Sequence, residues 1–221
     1  MGQRAFIIGS TGLVGSQLLR LLCNSPEFDA ITILVRKPSG FHHHKVQEYV
    51  VDFNNKESYA PILKGDVFFC CIGTTQKQTP NRDLYYTIDH DYPVNFAQAA
   101  YEAHFSQYHF ISAIGADANA RNFYLKTKGQ AERDLLVIPF KGMAIYRPSI
   151  IVGSRTQKRP LETLASTFMK LFNPLLIGSW RKYRSIEALT IAKAMLHQAE
   201  KGAKASVILE SDAIEALGST T

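Results

Sequence analysis

The sequence predicts an α/β fold: a doubly wound parallel sheet in three αβα layers, closed by a small C-terminal lobe. Three observations predict it. Short apolar, β-branched runs alternate with segments of helical periodicity along most of the chain. The run Asp66 to Gly73 is almost continuously apolar, as a parallel strand covered on both faces requires. The first run, Ala5 to Ile8, passes straight into three spaced glycines and then into a helix.

That opening sets the frame. Gly9, Gly12 and Gly15 form G-x-x-G-x-x-G between the strand and a helical pattern of Leu13, Val14, Leu18, Leu19, Leu21 and Leu22. Strand, tight glycine turn and helix make the first step of a Rossmann-type dinucleotide-binding unit. Gly9 lets the chain turn off the strand. Gly12 leaves room for a pyrophosphate, and Gly15 lets the helix lie close to the sheet. Free N–H groups at the helix start then hold the phosphates. The expected contacts here are Gly9, Ser10, Thr11, Gly12, Leu13, Val14 and Gly15.

The remaining elements follow in order. Pro26 breaks the first helix, and Ala30 to Arg36 is the second strand. Lys37 to Gly40 ends it. His42, His43 and His44 have no second ligand cluster nearby and read as a solvated loop, so no metal is expected. Val46 to Asp52 is the third strand and Asp66 to Gly73 the fourth. Tyr92 to Phe105 is a helix with Pro93 in its first turn. Tyr108 to Ser112 is the fifth strand, Asn122 to Leu136 a helix, and Gly142 to Ile151 the sixth strand, with Pro148 marking its exit from the sheet. Leu161 to Phe172 and Ile186 to Lys201 are helices, and Ala205 to Glu210 is a last short strand.

The 221 residues are expected to form one domain, 1–221, with a substrate lobe at about 152–185. In that lobe Leu161, Leu164, Phe168, Phe172, Leu175 and Trp180 read either as core or as the wall of an apolar pocket. Arg181 to Arg184 is a cationic cluster. The net charge of +6 suits an anionic cofactor but is too diffuse to argue for nucleic acid. Cys23, Cys70 and Cys71 form neither a disulfide framework nor a zinc spacing, which places the chain in a reducing cytoplasm. No signal peptide precedes the first strand, and no apolar run approaches the ~20 residues of a membrane span.

Two further strand ends address the nucleotide. In NAD-binding folds the second strand commonly ends in an acid that bonds the ribose 2′-hydroxyl. Here Arg36 and Lys37 stand there, and cations attract a 2′-phosphate, so NADP(H) is the expected cofactor. At the end of the fourth strand Ile72, Gly73 and Thr74 are expected to meet the ribose or pyrophosphate.

Tyr124 and Lys128 form Tyr-x-x-x-Lys on one helix face, after a strand that ends in Ser112. With the glycine turn upstream, the chain resembles the short-chain dehydrogenase/reductase superfamily in its extended or atypical branch. The stretches Val50–Phe53, Cys70–Thr75, Gly115–Asp117, Asn122–Leu125 with Lys128-Gly129, Arg147-Pro148, Ser154-Arg155 and Arg159-Pro160 look like the human Tat-interacting protein family of NADPH-binding atypical members. The resemblance implies proton exchange by Tyr124, ribose binding and phenol activation by Lys128, and a hydrogen bond from Ser112 to the reacting carbonyl. It also implies that Ile151 and Arg159 approach the cofactor. Two positions depart from the superfamily: the usual serine pair reads Ser112-Ala113, and an asparagine of the fourth helix reads Asp89. The implied activity is hydride transfer to or from a small carbonyl or alcohol substrate. The alternative is an NADPH-sensing module that binds a protein partner and turns over little.

Overall fold

The computed structural model describes residues 2–153, 182–202 and 205–219. Nine strands are present among them: β1 (Gln3–Ile8), β2 (Phe28–Val35), β3 (Val46–Val50), β4 (Val67–Cys70), β5 (Gln107–Ile111), β6 (Gly142–Arg147), β7 (Ile151–Val152), β8 (Ile186–Glu187) and β9 (Val207–Glu210). Seven build one sheet in the order β3-β2-β1-β4-β5-β6-β9, and every pair is parallel. The fold is the doubly wound parallel sheet that the sequence predicts. From β1 the chain moves outward to β2 and β3, then crosses back to β4. The crevice at the carboxyl ends of β1 and β4 is therefore the topological switch point, where such sheets bind ligands.

The helices are α1 (Leu13–Asn24), α2 (Arg82–Tyr86), α3 (Tyr92–Glu102), α4 (Phe123–Leu136), α5 (Ala188–Glu200) and α6 (Ser211–Gly218). Side chains of a strand alternate between faces, and the sheet has a core on each. Ala5 and Ile7 pack with Leu18, Leu19 and Leu22 of α1 and with Ile191 and Met195 of α5. Phe6 and Ile8 pack on the other face with Phe68, Phe96, Tyr108 and Leu135. Covering on both faces is why the central strands read as unbroken apolar runs.

Asparagine side chains start two helices. Asn81 accepts the N–H of Leu84 ahead of α2, and Asn122 accepts that of Leu125 ahead of α4. Between α2 and α3 the helix does not stop. Thr87–Asp91 forms one π-turn, closed by the Tyr92 N–H donating to the Thr87 carbonyl. Pro93 has no N–H to offer the carbonyl four residues back, so regular α-helix is disfavoured at that step.

Some segments differ from the sequence reading. The sixth strand ends at Arg147, and Ile151 belongs to a separate two-stranded parallel sheet of β7 and β8. Pro148 is the physical reason, since it cannot donate into a ladder. Ile186 and Glu187 are consequently strand, and helix begins at Ala188. The fourth strand ends at Cys70, three residues early, because Cys71 to Gly73 form the crevice wall. Helical structure at 82–91 and 211–218 was not foreseen. The helix expected at Leu161 to Phe172, the apolar stripe from Leu161 to Trp180, and Arg159 lie outside the described residues. Among the described residues no helix is long and apolar enough to cross a membrane.

Candidate cofactor and proton-transfer site

The glycine turn interlocks three elements. Gly9 has φ +80°, a conformation that L side chains rarely adopt. A Cβ there would sit 2.5 Å from the carbonyl carbon and oxygen of Cys71, at the end of β4. A Cβ at Gly15 would sit 2.2 Å from the Gly9 carbonyl oxygen, so α1 rests directly on the turn. Gly12 donates its N–H to that same oxygen at 2.9 Å. No side chain caps α1 and no acid occupies its first turn, which leaves the positive end of the helix facing the crevice. The Ser10 hydroxyl is buried and has no partner among the described residues.

The crevice is a cleft of about 810 Å³. Gly9, Ser10, Thr11 and Gly12 of the glycine turn, Arg36 and Lys37 after β2, and Ile72, Gly73 and Thr74 after β4 all line it. Phe53, Leu84, Ile88 and Tyr92 form an apolar boundary. The exposed Arg36 and Lys37 pair with no carboxylate among the described residues. Leu13, Val14 and Gly15 do not line the cleft: the latter two are buried in α1, where they shape it from behind. Ile151 is not among the residues that line the cleft either; like Leu13 it packs on the core of the α1–α5 face. A buried hydroxyl and two cations without partners among the described residues, beside the uncapped start of α1, fit a dinucleotide phosphate chain.

The second group of residues stands behind Gly73. Lys128 is 3% exposed. Its Nζ lies 2.9 Å from Oδ1 of the fully buried Asp89 and donates to the Ile111 carbonyl at 3.2 Å. A Cβ on Gly73 would be 3.5 Å from that Oδ1 and 3.8 Å from Nζ, so only a glycine backbone separates cleft and ion pair. Burial pulls the Lys128 ammonium down, but Asp89 and then Tyr124 outweigh it, and the net shift is upward. Ser112 is buried, and its Oγ has no partner among the described residues. Tyr124 sits one helical turn before Lys128 and is 39% exposed. Desolvation raises its phenol above the ordinary range, Lys128 opposes this, and Asp89 adds to it. The expected lowering of that phenol by Lys128 is thus overcome, because desolvation outweighs the lysine's pull and Asp89 balances the lysine's charge.

Sequence reasoning missed several partners. Asp89, a departure from the superfamily pattern, joins Lys128 to the Thr74 N–H, which its Oδ2 accepts at 2.9 Å. Tyr85 donates its hydroxyl to the Thr74 carbonyl at 3.3 Å, and Thr79 meets the Thr74 hydroxyl at 2.8 Å. One signal was available: Asp89 falls between apolar Ile88 and Tyr92 just before Pro93, an acid where a helix turns inward.

Comparison with known proteins agrees with this geometry. A family model described as NAD(P)H-binding matches residues 9–136. Protein HTATIP2 of Rattus norvegicus is 31% identical over 218 residues, covering 96% of this chain and 88% of its own. A protein of Debaryomyces hansenii named FMP52, mitochondrial, is 31% identical, with 89% and 88% covered. Among solved structures, the Bordetella bronchiseptica enzyme WbmH in complex with NAD+ superposes with a TM-score of 0.71 at 14% identity, covering 99% of this chain and 80% of that one. The Thermotoga maritima UDP-glucose 4-epimerase superposes at 0.70 and 13%, covering 94% and 76%. The cytoplasmic placement expected from the cysteines is overturned, because relatives from three fungi carry a mitochondrial designation. Reduced cysteines report the redox state of a compartment and not its address.

Proposed function

The chain belongs to the NAD(P)H-binding family, with HTATIP2 among its relatives, and on that premise we propose that it is an NADP(H)-dependent oxidoreductase reducing a small carbonyl compound. The observation that carries the reading is the buried Lys128 directly behind Gly73, a residue of the phosphate-type cleft, with Tyr124 one helical turn away; Ser112, Tyr124 and Lys128 are not themselves among the residues that line that cleft. The reduced dinucleotide supplies a hydride when bound. Tyr124 donates a proton to the carbonyl oxygen, Ser112 orients that oxygen with a hydrogen bond, and Lys128 holds the ribose. The phenol is protonated at neutral pH and can donate, and its upward shift makes it a weaker acid than a tyrosine activated by an unpaired lysine. Arg36 and Lys37 face the 2′-phosphate and set the preference for NADPH over NADH. We read 1–221 as one domain, with residues of about 152–185, Arg159 included, shaping the substrate end. The mitochondrial designation of the fungal relatives makes a mitochondrial location the expectation.

One observation favours the second reading, a nucleotide sensor with little turnover. Lys128 is already charge-balanced by Asp89, so it activates the phenol less than an unpaired lysine would. The deciding experiment holds purified protein, shown to bind NADPH by fluorescence, against a panel of aldehydes, ketones and quinones. NADPH oxidation above background on any of them supports the enzyme. No oxidation, together with capture of a partner only in the presence of NADPH, replaces it with the sensor.

A further inference from the structure

A lysine in an apolar interior sheds its proton unless a partner holds it. Lys128 has such a partner from another element. Asp89 is 0% exposed, and its two oxygens serve two purposes: Oδ1 meets the ammonium and Oδ2 accepts the Thr74 N–H. The π-turn places it there. The same turn is tied to α4 a second time by His90, which bridges Asp91 at 2.9 Å and Asp134 at 3.0 Å. Asp134 and Lys128 are both on α4, so the turn is clamped to that helix at two points. The other groups facing the ammonium are few. Tyr124 faces it from its own helix and the Cys70 thiol from the end of β4. The Phe110 ring, at 4.8 Å, and the Ile111 carbonyl face it from β5 and are uncharged. Tyr85 of α2 faces Asp89. Asp89 is therefore the only carboxylate on Lys128 among the described residues.

We propose that Asp89 is a positioning residue for the cofactor site: it keeps the buried Lys128 charged and fastens it to the Gly73–Thr74 peptide that walls the cleft. The assignment rests on the reading of Lys128 as a ribose ligand only for its effect on binding. The ammonium faces the Asp89 carboxylate as an ion pair and donates one hydrogen bond to the Ile111 carbonyl, which leaves donor capacity for the cofactor. The raised Lys128 agrees with this arrangement, since Asp89 is what offsets its burial.

The test uses the full chain with 15N-labelled lysine, the Lys128 Nζ resonance being assigned by its loss in Lys128→Arg. In the native protein that resonance keeps its ammonium shift to a pH above that of free lysine. In Asp89→Asn, which retains the shape and an acceptor for Thr74, it loses the proton at a lower pH than in the native protein. Asp89→Glu restores the native behaviour. NADPH affinity, measured by fluorescence at pH 7 and pH 9, is flat in the native protein and in Asp89→Glu. In Asp89→Asn it falls about tenfold between the two, the loss of one charge-assisted hydrogen bond. A merely structural role would weaken binding equally at both pH values. A native Lys128 that titrates below free lysine overturns the assignment, whether or not the variants fold. So does an Asp89→Asn variant whose Lys128 titrates as in the native chain. If the resonance moves as expected while NADPH affinity stays flat, Asp89 keeps its role and the lysine–ribose contact is what falls.

Discussion

The two faces of β5 each carry a buried base, and the two bases differ in charge. His109 points to the α1–α5 face, where Phe69 and Tyr146 stack on it. Among the described residues its ring nitrogens meet the Tyr146 hydroxyl at 3.0 Å and the Gln107 side-chain oxygen at 3.3 Å. Burial pushes it down to about 3, so it is neutral. Lys128 lies on the α3–α4 face above Phe110 and is hardly more exposed, yet its shift is upward. Burial penalises the charged form of both. A carboxylate on one side and neutral partners on the other decide the outcome. The charged base borders the cofactor cleft, while the neutral one is packing.

Four experiments break or sharpen that contrast. Tyr124 stands on the charged side, and Tyr124→Phe removes its proton without removing its ring. Turnover on any accepted carbonyl is expected to fall about 10²–10⁴-fold with NADPH affinity within a few-fold. Full activity in that variant removes Tyr124 from the chemistry. Asp89→Ala should turn Lys128 into an uncompensated buried charge and lower unfolding stability in urea by roughly 3–5 kcal/mol. Adding Lys128→Met to Asp89→Ala should recover much of that loss. A double variant that loses as much as the sum of the single ones would mean the pair is not coupled.

Arg36 and Lys37 are a third case, cations in the open that need no partner. Replacing both with Ala should weaken NADPH about tenfold and leave NADH nearly unchanged, discounting for solvent screening. Titration of the native protein should show NADPH affinity falling with added salt more steeply than NADH affinity. Equal affinities for the two nucleotides in the native chain would end the argument.

The last test concerns His109. Its folded value lies below its unfolded one, so the stability it contributes is fully present above about pH 6.5. Between there and about 3 the unfolded chain binds the extra proton, and stability falls with pH by at most about 1.4 kcal/mol per unit. His109→Gln should lose less stability than the native chain between pH 6.5 and 4.5. A variant as acid-sensitive as the native protein would show that His109 is charged in the fold.

The sheet was legible because its signal is local. Apolar runs such as Val67–Cys70 and the glycine turn announce strands and their order of use without knowledge of what packs on them. The cleft was legible for the same reason at Gly9 to Gly12, Arg36 and Gly73, all at strand ends. What stayed hidden depends on contacts between distant segments. Asp89 meets Lys128 across 39 positions, and nothing in either local sequence states that pairing. Charge balance is likewise invisible in a Tyr-x-x-x-Lys spacing, and that is why the phenol of Tyr124 departs from expectation. Short helices such as Arg82–Tyr86 carry too few periods for an apolar pattern to emerge.

The π-turn at Thr87–Asp91 makes the segment sensitive to its length more than to its composition. A π-turn holds one residue beyond what an α-helix needs, and each residue of an α-helix turns the following side chains by ~100°. A one-residue deletion at Ile88 would let the helix close regularly and would swing Asp89 and His90 relative to everything after them. Both ties to α4, at Lys128 and at Asp134, cannot survive that rotation together. Conservative substitutions on the outer face of the same segment leave the register alone. Among variants of this chain, single-residue insertions and deletions between Arg82 and Tyr92 should therefore be far rarer than exchanges of side chain.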